Sequence, residues 1–250
     1  MPVSPDIVVG VTVRAKICGI RSETDLRLAV AAGADAVGFI SGITHFSEDG
    51  LSAPQAATLS AMVPPFVTRV LVTHLEDASA IVALADEIGV DAIQVHGLVS
   101  SATVSQVRAT AGGRKILAAV HVTGRDAVAI AQETAQFCDA VLLDSRTEDR
   151  LGGTGLTHDW SISAEIVEAL AEIGCPVVLA GGLNAGNVGA AIAAVRPFGV
   201  DVNSGVEDAS GNKSPQACRD FVTAAHDLRA SNTARVHGQP GDSRSGGDGP

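Results

Sequence analysis

Eight short apolar runs, each followed by a longer amphipathic stretch, set the pattern of the chain from residue 11 onward. They are VTVRAKIC (11–18), AVGFI (36–40), VTRVLVT (67–73), AIQVH (92–96), KILAAVH (115–121), AVLLD (140–144), PVVLA (176–180) and GVDVN (199–203). Runs this short, dense in β-branched residues, are what strands buried on both faces of a parallel sheet require. The stretches between them carry helical spacing: SETDLRLAVAAG, SAPQAATLSAMV, EDASAIVALADEIG, SSATVSQVRAT, RDAVAIAQETA, SAEIVEALAEIG, NAGNVGAAIAAV and finally SPQACRDFVTAAHDLRA. Several open on Ser, Asp or Asn at a cap position, and three run into a glycine where a helix should stop. Eight strand–helix units in about 230 residues predict an α/β fold, a single closed (β/α)8 TIM barrel, rather than an open doubly wound sheet.

That architecture assigns residues 1–230 to the barrel. The last stretch, 231–250, is rich in Gly, Ser, Asp and Arg and nearly free of apolar residues, so it reads as a disordered tail. Aromatic residues make up 3% and tyrosine is absent, so the core must be filled by Ala, Val, Ile and Leu. A formal charge of -11 offers no basic stripe for nucleic acid or an anionic membrane surface, and no run reaches transmembrane length. Cys18, Cys138, Cys175 and Cys218 form no C-x-x-C pair, which argues for free thiols in a reducing cytosol. The opening MPVSPDIVVGVTVR lacks the basic segment and long apolar run of a secretory leader. A cytoplasmic protein, monomer or homodimer, is the expectation.

In a barrel of this kind the chemistry gathers at the C-terminal ends of the strands. Those ends deliver Cys18, then Thr73 and His74, Gln94 and His96, His121, and Asp144. The seventh strand runs into Gly181 and Gly182, the eighth into Ser204 and Gly205, and GGTG (152–155) follows the sixth. Glycine loops let backbone N–H groups close on an anion, and the last two strands are where such barrels often hold phosphate. A lone His74 or His121 is more often a packed residue than a ligand, and no regular His or carboxylate spacing marks a metal, so none is predicted. Asp35, Asp91, Asp139 and Asp201 recur at the starts of even-numbered runs, at the face that serves stability, and are assigned a structural role.

The stretches KICGIRSETDLRLAVAAGADAVGF, PPFVTRVLV, IQVHG, LLDS with GGTGLTHDW, VVLAGGLNAGNV and PFGVDVNSGVED, in this order, resemble the successive signatures of the phosphoribosylanthranilate isomerase family. The resemblance implies a cofactor-free barrel of tryptophan biosynthesis. It would convert a phosphorylated aminosugar, N-(5-phosphoribosyl)anthranilate, into the corresponding 1-deoxyribulose phosphate by an Amadori rearrangement. By position, Asp144 matches the family's acid and Cys18 its base. Gly155, Gly181, Gly182, Ser204 and Gly205 would hold the phosphate, with Gln94 and His96 also at the substrate. For Cys18 to act as a base, its pKa should be brought towards neutrality by N–H dipoles or a cation.

Two departures stand out. The segment SGITHFSEDGLSAPQA carries Glu48 and Asp49 where the family has an arginine, and Leu156 and His158 replace Lys and Phe in GGTGLTHDW. Loss of two cations beside an anthranilate carboxylate weakens its binding unless His45, His74 or Arg146 fills the role. A specialised relative that rearranges another phosphoribosyl-amine in secondary metabolism, or a non-catalytic barrel acting as a binding protein, are the alternatives.

Overall fold

The computed structural model describes residues 12–44, 47–97, 99–145 and 159–227. Eight parallel strands form the barrel: β1 (Arg14–Ile17), β2 (Ala36–Ser41), β3 (Thr68–Thr73), β4 (Ala92–Val95), β5 (Lys115–Val122), β6 (Ala140–Ser145), β7 (Val177–Leu179) and β8 (Gly199–Val202). Each pairs with its chain neighbour, and β1 closes the ring by pairing both with β2, through Lys16↔Ala36, and with β8, through Lys16↔Asp201. The helices α1 (Glu23–Ala31), α2 (Ala53–Ser60), α3 (Ala78–Ile88), α4 (Ser101–Thr110), α5 (Asp126–Thr134), α6 (Trp160–Ala171), α7 (Val188–Val195) and α8 (Pro215–His226) follow their strands in turn. None of the described helices is long and apolar enough to cross a membrane.

The strands alternate between two interiors. On β1, Ala15 and Ile17 join the main core with Phe39, Ile81, Ile93, Ile166 and Phe221, packed between strands and helices. Cys18 instead joins Ile40, Val70, Val72 and Ala92 inside the barrel. Burying one such Ile or Leu stabilises the fold by about 1.5–3 kcal/mol, and truncating it to Ala costs about 2–5.

Caps behave as their sequences require. The side chains of Ser22, Asp77, Ser100 and Ser214 accept N–H bonds three residues on, from Asp25, Ala80, Thr103 and Ala217. Gly89 closes α3 in the left-handed region, at φ 73°. One boundary differs from the sequence reading: α6 begins at Trp160, because Asp159 caps it through Ser161 N–H, ahead of the expected SAEIVEALAEIG start. A two-residue strand, Gly50–Leu51, was also not expected; it adds in parallel to the end of β2, with Ile40↔Gly50 and Ser41↔Leu51 as partners.

Candidate active site

Residues two apart on a strand face the same side, so Lys16 and Cys18 both enter the barrel from β1. The β1–β8 register sets Lys16 beside Asp201, and its ammonium meets Asp201 Oδ2 at 2.9 Å with both side chains under a tenth exposed. Gly38 on β2 leaves the space: a Cβ there would stand 2.8 Å from Cys18 Sγ and 3.1 Å from Lys16 Nζ.

This overturns the structural role given to Asp201 at the lower rim. Asp35, Asp91 and Asp139 do sit there, accepting the backbone N–H of Ala15, Arg69 and Ile116 at 2.8–2.9 Å. Their own N–H groups donate to Ala15, Arg69 and Ile116 carbonyls, and in the fourth repeat the residue doing so, to Val177, is Phe198. Asp201 lies three residues further on, well inside the barrel, and lines the cavity.

The expectation that Cys18 is brought towards neutrality is also corrected. Burial pushes the thiol above its ordinary value; Lys16 pulls it down, Asp201 pushes it up again, and the net direction is upward. Burial likewise works against the Lys16 ammonium, but Asp201 and then Cys18 more than offset it, and its pKa is raised.

On the other side of the mouth, Asp144 at the end of β6 is buried and its Oδ2 lies 3.2 Å from His96 Nε2. Gln94 Nε2 stands 3.1 Å from His96 Nδ1, so Gln94, His96 and Asp144 form a chain across β4 and β6. In this arrangement Gln94 donates to Nδ1, which leaves the Nε2–H of His96 to donate to the carboxylate. His96 also meets the rings of His74 and His121 edge-on, each with centroids 5.4 Å away.

Gly181 and Gly182 turn the chain after β7 in the left-handed region, at φ 81° and 65°. Ser204–Val206 forms one 3-10 turn after β8. The two loops touch: a Cβ on Gly205 would fall 1.9 Å from the carbonyl oxygen of Leu183. The backbone N–H groups of Gly181, Gly182, Ser204 and Gly205 donate to no other described residue, which suits an anion. Lys213, its side chain wholly buried, anchors the second loop by donating to Asn203 O at 3.0 Å, Asn203 Oδ1 at 2.7 Å and Glu207 Oε1 at 2.8 Å.

Cys18, Gln94, His96, Asp144, Gly181, Gly182, Ser204 and Gly205 all line one cavity of about 340 Å³. Gly155, His45, Arg146, Leu156 and His158, and the tail from 231 on, lie outside the described residues. His74 is described and lines the same cavity. Sequence reasoning missed Lys16, Asp201, Asn203 and Lys213. The first two had a signal: a Lys and an Asp in apolar strands, where lone charges are almost never buried unpaired. Asp49 lines the cavity as well, accepting from Asn203 Nδ2 at 2.8 Å and lying 3.5 Å from Arg21 Nε.

Fold and site define a class: (β/α)8-barrel enzymes that take a phosphorylated small molecule at the C-terminal ends of their strands. The family model described as N-(5′-phosphoribosyl)anthranilate (PRA) isomerase matches residues 15–224. An N-(5′-phosphoribosyl)anthranilate isomerase of Halorubrum lacusprofundi is 44% identical over 212 residues, covering 85% of this chain and 96% of its own. Its Methanosarcina mazei counterpart is 39% identical over 214 residues, covering 85% and 93%. Among solved structures, the Thermotoga maritima phosphoribosylanthranilate isomerase superposes with a TM-score of 0.74 at 35% identity, over 86% of this chain and 100% of that one. A phosphoribosylanthranilate isomerase in complex with reduced 1-(o-carboxyphenylamino)-1-deoxyribulose 5-phosphate reaches 0.71 at 34%, with the same coverage. This chain belongs to the phosphoribosylanthranilate isomerase family.

Proposed function

We propose that this protein carries out the Amadori rearrangement of N-(5-phosphoribosyl)anthranilate to 1-(2-carboxyphenylamino)-1-deoxyribulose 5-phosphate, a step of tryptophan biosynthesis, with Asp144 as acid and Cys18 as base. The observation that supports it most is the convergence of a buried thiol, a buried carboxyl group and two anion-ready loops on one cavity. Asp144, protonated for this step and oriented by His96, gives its proton to the ribose ring oxygen; the C1′–O bond breaks and a C1′=N iminium forms. The iminium acidifies the C2′ hydrogen. Cys18 takes that proton as the thiolate, which burial and Asp201 oppose and the Lys16 ammonium supports, and the resulting enolamine tautomerises to the C2′ ketone while C1′ gains a hydrogen. Atoms and electrons balance within the substrate, so neither redox cofactor nor co-substrate enters.

The phosphate rests on the N–H groups of Gly181, Gly182, Ser204 and Gly205, joined by Gly155 on the resemblance of its GGTG loop. Incubating the purified chain with phosphoribosylanthranilate should consume it, and the gene should restore growth to a tryptophan auxotroph lacking the isomerase. Cys18→Ser and Asp144→Asn should each lower kcat by roughly 10²–10⁴-fold, the usual contribution of a positioned acid or base. Full activity in either variant overturns the assignment. A second reading draws on Asp49 in the cavity wall: a relative acting on a phosphoribosyl-amine without the anthranilate carboxylate. It is favoured if turnover of the anthranilate compound is absent while an uncharged aryl analogue is rearranged.

A further inference from the structure

The fold assembles a cluster that no spacing in the sequence reveals. His96, His121 and Asp144 come from three successive strands, β4, β5 and β6, and each offers one ligand atom, all lying within 4.8 Å of one another. His121 and Asp144 are direct partners in the β5–β6 register, and His96 Nε2 is already 3.2 Å from Asp144 Oδ2. Two imidazoles and a carboxylate, with a fourth position open to the cavity, make a donor set suited to a borderline-soft divalent ion such as zinc.

We propose that His96, His121 and Asp144 form an inhibitory site for a first-row transition-metal ion, with Zn²⁺ as the reference probe, which silences the enzyme by occupying the carboxyl group the reaction uses. Gln94 provides the second observation. Its Oε1 is buried without a partner, although the residue is only 1% exposed. Metal at His96 Nε2 requires a proton on Nδ1, and a rotated Gln94 amide then presents Oε1 to that N–H, which fixes the ring. The inhibition rests on the role given to Asp144; the binding does not.

Calorimetry of the chelator-stripped full chain with Zn²⁺ alone should show one site, and buffered free Zn²⁺ should abolish turnover reversibly on adding EDTA, whereas millimolar Mg²⁺ should do neither. His121→Asn, with His121→Gln as a second variant should the first fold poorly, should keep its activity in EDTA and lose Zn²⁺ affinity by at least about 10–100-fold, the loss expected even for an outer-shell partner. Co²⁺ should give visible d–d bands without a thiolate charge-transfer band. Unchanged Zn²⁺ affinity in both His121 variants, or a thiolate band from Cys18, overturns the site. Zn²⁺ bound through His121 with turnover unaffected keeps the site and overturns both the inhibition and Asp144 as the acid.

Discussion

Replacing Lys16 by methionine tests the buried pair on which the base side of the cavity is built. The ammonium and Asp201 Oδ2 are 2.9 Å apart with side chains 6% and 8% exposed, so neither charge is screened by water. Removing one partner of such a pair leaves the other buried and uncompensated, at a cost of about 3–5 kcal/mol. For a chain of this size each kcal/mol lowers Tm by about 2–4 °C, which places the expected drop at roughly 6–20 °C. Adding Asp201→Asn to Lys16→Met removes the stranded charge and leaves an unsatisfied amide worth about 1–3 kcal/mol, so the double variant should be more stable than the single one. The pH dependence carries a sign as well. Lys16 has a raised pKa in the fold, so its contribution is complete below the ordinary lysine value of 10.5 and is lost as pH climbs past it. Lys16→Met should lack that alkaline loss. Thermal and urea unfolding of the three proteins decides the matter: a single variant within about 1 kcal/mol of the parent, or a double variant less stable than the single, refutes the reasoning.

Three further outcomes follow from the same geometry. Burial raises the Cys18 thiol while Cys175, half-buried and hydrogen-bonded to the free Cys138 thiol, is lowered, so iodoacetamide at neutral pH should label Cys175 well before Cys18 by peptide mass spectrometry; the reverse order contradicts the assigned cavity electrostatics. The Arg69 guanidinium holds the Asp91 carboxyl below the ordinary 3.8, and for Asp35 and Asp139 burial works the other way but the N–H and cation bonds they accept win, so the contribution of all three is present above that pH and lost as pH falls further. Asp35→Asn, which removes the titrating carboxylate that meets Ala15 N–H and His226, should flatten the stability profile below about pH 4 in acid titrations followed by circular dichroism. Gly205→Ala forces a methyl to 1.9 Å from Leu183 O, so the two anion loops must part; KM for the phosphorylated substrate should rise about tenfold or more with about 1–3 kcal/mol of stability lost.

The barrel is legible in the sequence because each of its strands is an apolar run and several of its helices carry their own start signal. Eight runs became eight strands, and the cap residues Ser22, Asp77, Ser100 and Ser214 bond as their chemistry dictates. What periodicity could not place were features set by register. The repeated aspartate looked alike in GADAV, GVDAI, FCDAV and FGVDV, yet hydrogen bonding aligns Phe198, not Asp201, with the other three. A shift of three residues along a strand moves a side chain from the outer rim into the barrel, and nothing in a window of seven residues reports it.

The site was legible where a residue type declares its own chemistry, as a thiol and a carboxyl do at strand ends and glycines do after the last two strands. It was illegible where charge is balanced across the barrel. Lys16 and Asp201 sit 185 residues apart, and the raised thiol of Cys18 follows from burial that no motif encodes. The same blindness governs the missing cations. The segment after β2 carries only acidic charges, and counted along the chain it makes the mouth hostile to an anionic substrate. In the fold, Asp49 draws Arg21 from the loop after β1 to 3.5 Å and is held from the other side by Asn203 Nδ2. A carboxylate that brings a guanidinium with it offsets its own charge at the rim, so the sign of a loop's residues is not by itself the sign of the field that a substrate meets.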